Sequence, residues 1–437
     1  MKYNKRLSLF AETFKQNKST FKFNNILSKN FSFKEMEIDI KSTIYEGVLY
    51  HEHNKYLTEV NLNMPTKFNA LDLKMVKSML RRVRLWLPFN IDGFSSEGEF
   101  TQEKNIPKVA LFTGNGKAFC AGGDIVTLYK AKLENPNSKI LKDFFRYEYL
   151  LDYSITKMNP IQICLWNGPV MGGGVGLSIN SPFKVCTDNT VFAMPEGKIG
   201  LFTDVGASYF LPRLLNSNQE LGLYLGLTGE RIKGRDLAVT GVATHYASPE
   251  TFSKLKDIII DKVNENVNRE SLDYIITQNT EYKYESSKFT YPNLELIKYA
   301  FKLDSLKNII QRLDNIIEDK KECLVEIEAF INSNSRDWAK KCKDNIFSQS
   351  PLSLTVILEL IKRGTQMNSI DEAFDLEAQV VSGFMEDSDF FEGVRALLVD
   401  KDNNPKWKHN HYSEVDFNEV VKKYFDRNEE IDVDPNK

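Results

Sequence analysis

From Lys55 to Leu62 apolar and polar side chains alternate, the period-two signature of a strand with one buried face. The chain then turns through NMPTKFNAL and opens a helix expected to run to about Leu87. Val109–Thr113 reads as a short apolar strand stopped by Gly114-Asn115-Gly116, and Ile161–Trp166 as a second. Each leads into a glycine-rich turn and then a helical stretch, the first near Asp143–Lys157. This recurrence of strand, turn and helix predicts an α/β fold built from stacked ββα units around one core. Pro88 to Pro107, rich in Gly, Ser, Glu and Asn, reads as a surface loop or insertion. Beyond about residue 250 glycine thins out. Leu306–Ile317, Cys323–Ile331 and Leu352–Arg363 space their apolar residues by three and four, so this region is expected to be helical.

These patterns divide the 437 residues into four parts: 1–40, a core over 45–250, a mainly helical region over 251–410, and an acidic tail over 411–437. Within its first 34 residues Lys2, Lys5, Arg6, Lys15, Lys18, Lys22, Lys29 and Lys34 are opposed only by Glu12. That basic, acid-poor stretch reads as a mitochondrial transit peptide or as a disordered tail. The whole chain has 42% hydrophobic and 27% charged residues and a formal net charge of −3, an ordinary globular balance with no field to attract nucleic acid. No apolar run is long enough to span a bilayer. The five cysteines never form C-x-x-C, which points to free thiols in a reducing compartment rather than disulfides or zinc. His51 with His53, and His409 with His411, could pair on one face of a strand, but neither pair has a third ligand nearby in sequence, so both read as surface residues.

Three segments carry candidate chemistry. Lys117–Ile125 (KAFCAGGDI) and Asn167–Gly176 (NGPVMGGGVG) each join a strand to a helix through glycines. Such turns can aim amide N–H groups at a ligand, and two of them could form an oxyanion hole; singly, they also bind phosphate or simply pack. The third, Phe192–Glu196 followed by Ile199–Gly206, sets Glu196 and Asp204 among apolar residues and glycines. Carboxyls in that setting tend towards a raised pKa suited to acid or base work, although Glu196 could equally be a helix N-terminal acid.

Taken together with YFLPRL, LTGERIKGRD and the late FFEGVRALLVDKD and PKWK, these segments resemble the crotonase (enoyl-CoA hydratase/isomerase) superfamily, in particular its 3-hydroxyisobutyryl-CoA hydrolase branch, over about residues 45–410. The resemblance implies a crotonase-like spiral of ββα units with a helical C-terminal region. It implies catalytic roles for Glu196, Asp204, Gly123 and Gly173, with the two glycines supplying the oxyanion-hole amides. Glu148 joins Gly173, Glu196 and Asp204 as a substrate-binding residue, and Lys67, Ala70, Ala121, Gly123, Asp124 and Ile125 match the CoA-binding region. Coenzyme A belongs to the substrate; no other cofactor and no metal is expected. Hydratases of the superfamily carry a second glutamate where this chain has Gly176, which argues against hydratase activity; the branch it resembles implies hydrolysis of a short 3-hydroxyacyl-CoA in valine breakdown. Thr203 stands where a proline is usual, and Ala207-Ser208 where two glycines are. Arg395 is expected to pair with an acid, and His245 to be structural. The resemblance further implies a mitochondrial matrix enzyme that is a homo-oligomer, with no membrane partner. Other readings are a hydrolase or isomerase of another short acyl-CoA, and a structural subunit of a mitochondrial ribosome, the one setting in which nucleic acid would lie near.

Overall fold

The computed structural model describes residues 45–88, 106–281 and 291–426. The basic N-terminal stretch, most of the Pro88–Pro107 segment and residues 427–437 lie outside them. The main sheet runs β1 (Val48–Asn54), β2 (Leu57–Leu62), β3 (Val109–Gly114), β4 (Ile161–Trp166), β6 (Phe183–Cys186) and β9 (His245–Tyr246). Only β1 and β2 pair antiparallel, as a hairpin; all later neighbours are parallel. A second sheet holds β5 (Pro169–Met171), β7 (Val191–Ala193) and β8 (Ile232–Lys233). After β4 and after β6 the chain turns at once into a strand of the second sheet, so consecutive strands wind between two layers.

Parallel strands need cover on both faces. Val60, Leu62, Phe112, Cys164 and Trp166 point into the large core, while Leu57, Val109, Leu111, Ile163 and Val185 pack under Pro249–Lys262 and Arg269–Gln278. Helix α1 (Leu73–Arg84) begins where the Asp72 carboxylate caps the Met75 N–H at 2.8 Å, and it buries Met75, Val76, Met79, Leu80 and Val83 on one stripe. It ends three residues short of the expected Leu87. Helix α2 (Ile125–Glu134) precedes α3 (Lys139–Lys157), which is buried almost all round from Phe144 to Ile155, as befits a helix inside the molecule.

Past residue 250 the elements are helical, among them Leu306–Glu318, Ser333–Phe347 and Pro351–Gly364. Cys323–Ile331, expected as regular helix, is instead two short 3-10 turns. The expected tail from 411 also needs correction. Residues Phe417–Val420 are helical, Val420, Tyr424 and Phe425 are buried, and Tyr424 donates to Asp387 at 2.7 Å and packs on Phe384. Acidic composition misled the reading there, because three apolar side chains suffice to dock the segment.

The late motifs are structural ties. Arg395 binds Glu392 through two nitrogens, and Asp400 and Asp402 through a third. The buried Asp389 accepts from Ser350 Oγ at 2.6 Å and from the Lys408 N–H at 2.9 Å. His245 bonds Thr244 and Thr277, and burial pushes its pKa down to about 4.

Candidate active site

The two glycine-rich turns lie side by side. Cys120 N–H donates to the Pro169 carbonyl and Met171 N–H to the Cys120 carbonyl, both at 3.1 Å, a short parallel bridge that zips one turn to the other. Gly122 (φ 108°) and Gly172 (φ 45°) face each other so closely that a Cβ on Gly172 would stand 3.5 Å from the Gly122 Cα. Left-handed backbone at both positions is open to glycine and strained for other residues. The next residues are Gly123 and Gly173, the latter opening the single-turn helix α4 (Gly173–Gly176). Among the described residues neither the Gly123 nor the Gly173 amide is used in a backbone hydrogen bond, which leaves two donors free for an oxygen.

The residues expected to hold CoA also meet. Ala121 N–H donates to Phe68 C=O, Leu71 N–H to Gly122 C=O and Asp124 N–H to Leu71 C=O. The buried Asn69 amide ties the Ala118 and Phe119 carbonyls to this strip. Lys67 reaches Asp124 at 2.9 Å, and the same carboxylate caps α2 at Thr127. Ala70 and Ile125 flank these contacts in sequence.

Four carboxyls converge behind the turns. Glu196 opens a 3-10 turn (Glu196–Ile199) beside Gly172, where a Cβ would stand 3.5 Å from its Oε1. Glu148 on α3 lies so near Gly173 that a Cβ there would overlap its Oε1. Asp204 accepts the Tyr149 hydroxyl at 2.7 Å. The fourth acid, Asp152, is a residue that sequence reasoning missed. It stands one helical turn after Glu148, on the same face of α3, and fills the space beside Gly176. All four are buried, and Glu196 Oε2, Glu148 Oε1 and both Asp152 oxygens have no hydrogen-bond partner among the described residues. The signal for Asp152 was present: an acid in the middle of an otherwise buried helical run, four residues from Glu148.

Burial is the largest influence on every one of these acids, and it raises their pKa values; the negative charge of neighbouring acids adds to it for Glu148, Asp152 and Glu196. Those three are held well above the usual carboxylate range. Asp204 is pushed up to about 7, less than burial alone would do because the Tyr149 hydrogen bond favours its charged form. Acids this close share their protons, so one can ionise while its neighbours stay neutral, the arrangement that general acid and base work requires.

The C-terminal helices close this site from behind within the same chain. A Cβ on Gly200 or on Gly393 would overlap backbone of the opposite segment, which fixes Asp389–Val394 against the Glu196–Gly200 turn. Phe390 meets Phe145, and Phe374 meets Tyr149.

The chain is similar to known proteins over most of its length. The family profile described as enoyl-CoA hydratase/isomerase matches residues 57–425. The chain is 38% identical to the mitochondrial 3-hydroxyisobutyryl-CoA hydrolase of Dictyostelium discoideum, over 88% of this chain and 92% of that one. It is 34% identical to the small ribosomal subunit protein mS47 of Neurospora crassa, over 86% of this chain and 70% of that one. Among solved structures, a carnitinyl-CoA dehydratase from Mycobacterium thermoresistibile superposes with a TM-score of 0.69 at 26% identity, covering 87% of this chain and 96% of that one.

Proposed function

The chain belongs to the enoyl-CoA hydratase/isomerase family, and on that premise we propose that it hydrolyses 3-hydroxyisobutyryl-CoA to 3-hydroxyisobutyrate and CoA, a step of valine breakdown. The observation that carries the reading is the set of buried carboxyls, with oxygens left unpartnered among the described residues, beside two glycine turns whose amides are unused. In this reading the thioester oxygen accepts hydrogen bonds from Gly123 and Gly173, which strengthen as negative charge develops on it. Glu196, in its ionised form, either attacks the carbonyl carbon and expels the CoA thiolate, leaving a mixed anhydride that water then opens, or takes a proton from the attacking water as the C–S bond breaks. Asp204, oriented by Tyr149, and Glu148 hold the substrate hydroxyl and acyl group. Lys67 and the strip through Ala70, Ala121, Asp124 and Ile125 hold the CoA portion. Gly176 leaves α4 without an acidic side chain, which supports hydrolysis over hydration; the Asp152 carboxyl from α3 packs against this bare position.

The relatives named mitochondrial support a mitochondrial site of action, and we assign the matrix within it. Self-association into a homo-oligomer belongs to the same proposal. The test is free-thiol release from 3-hydroxyisobutyryl-CoA by the purified protein, beside other short acyl-CoA esters. Fastest release from 3-hydroxyisobutyryl-CoA supports the reading, and a faster ester would reassign the substrate. The Neurospora relative favours one second reading, a mitochondrial ribosomal subunit. Absence of thiol release together with co-sedimentation with ribosomal particles would establish that reading instead.

A further inference from the structure

Behind Asp204 lies a carboxyl that the hydrolysis outlined above does not use. Glu377, in the middle of the helix Ile370–Glu386, is fully buried, and one short segment occupies both of its oxygens. Oε2 accepts the Gly206 N–H at 2.7 Å; Oε1 accepts the Ser208 N–H at 3.0 Å and the Ser208 hydroxyl at 2.5 Å. The three donors come immediately after Asp204, in a turn whose backbone is under strain. Val205 has φ 56° and Gly206 φ 88°. A β-branched residue in left-handed backbone is a genuine outlier that persists only when its surroundings hold it. Val205 is also buried, with its Cβ against Gly176, so a relaxed turn would carry Asp204 away from its present place. The same helix steadies the other partner of Asp204: Phe374, one turn before Glu377, packs against the Tyr149 ring and beside Gly206.

We propose that Glu377 is the positioning residue of Asp204, a strut that holds the Val205–Ser208 turn in its strained form and so keeps the Asp204 carboxyl in the site. The assignment rests on the thioester-hydrolase reading. Burial raises the Glu377 carboxyl to about 8, against the pull of its three hydrogen bonds, and the Asp204 charge adds to the rise. The strut therefore sits in the same dry region as the acids it serves.

The experiment is steady-state thiol release by wild type, Glu377→Gln, Val205→Gly and the double variant. Glutamine keeps the size of the side chain but turns an N–H₂ group towards a donor, so it cannot satisfy both amides. The expected result is a kcat loss on the order of 10²-fold, the scale of a misplaced catalytic group, with KM changed by less than about twofold. Glycine at 205 needs no strut for its φ, so in the Val205→Gly background the same substitution costs less than about tenfold. A Glu377→Gln kcat within about twofold of wild type, a loss in KM alone, or an equal loss in both backgrounds overturns the assignment. If Glu377→Gln does not fold, Glu377→Asp, which withdraws the carboxylate by one methylene, is judged on the same readings. Wild type without thiol release takes down the hydrolase reading and this assignment together; an active wild type beside an equally active Glu377→Gln overturns this assignment alone.

Discussion

Gly176 and Asp152 compete for one space, and the competition can be measured. A Cβ at 176 would overlap the Asp152 Oδ2, stand 2.7 Å from its Cγ and 2.8 Å from the Val205 Cβ. Carbon atoms settle at about 3.5–4.0 Å, so Gly176→Ala demands a displacement of at least about 0.8 Å from side chains fixed between α3 and the Asp204 turn. Overpacking of this kind costs about 1–3 kcal/mol. Asp152→Ala removes two of the three obstructing atoms. Taken alone, it is expected to be close to neutral, because the cavity it leaves is offset by release of an unpartnered buried carboxyl, itself a cost of about 1–3 kcal/mol. Urea denaturation of wild type, both single variants and the double variant closes a thermodynamic cycle. The expected coupling is at least about 1 kcal/mol, with Gly176→Ala much cheaper once Asp152 is gone. Gly176→Ala costing the same in both backgrounds, within about 0.3 kcal/mol, would refute the placement of Asp152 beside α4.

Other consequences follow from the same geometry. Gly173→Ala puts a methyl group into Glu148 Oε1 and 3.0 Å from Leu71 Cδ1, so the amide leaves its station and kcat should fall on the order of 10²-fold, read as thiol release. Asp204 has a folded-state pKa of about 7, above the ordinary aspartate value of 3.8, so the folded protein binds more protons than the unfolded chain between those values. Its contribution to stability is therefore fully present below about pH 4 and is lost as pH rises through 7; Asp204→Asn should flatten the decline in thermal midpoint across pH 5–8 relative to wild type. Lys67→Ala removes an exposed cation from the CoA strip; at about 0.2–1 kcal/mol it should raise KM by up to about fivefold and leave kcat unchanged.

Much of this architecture was legible because each signal was local. The alternation over Leu57–Leu62 marked a strand, although its polar side chains Thr58, Glu59 and Asn61 are buried too; the apolar runs of β3 and β4 require no partner to be recognised, and the family resemblance follows from motifs that lie whole within short stretches of chain. The site acids Glu196 and Asp204 came from those motifs and Glu148 from the resemblance they carry, and the fold brings all three to one place. What stayed hidden depends on contacts across long sequence separations. Glu377 serves a turn some 170 residues away, and only the packing of its helix shows that it is bonded to amides rather than to a cation. It sits on the core stripe with Phe374 and Val381, which hints at burial but not at purpose. Asp152 was overlooked because it belongs to no motif, and its meaning comes from the empty side-chain position at Gly176. The segment after His411 was read by its charges, whereas its fate is decided by Val420, Tyr424 and Phe425.

The central claim is that Glu196 performs the chemistry while other groups bind the CoA ester. It is tested most directly by Glu196→Gln with 3-hydroxyisobutyryl-CoA, scoring thiol release and ester binding on the same preparation. The account predicts a kcat reduced on the order of 10³-fold or more with the ester still bound at close to wild-type affinity. A folded variant that releases thiol at more than about a tenth of the wild-type rate would contradict it.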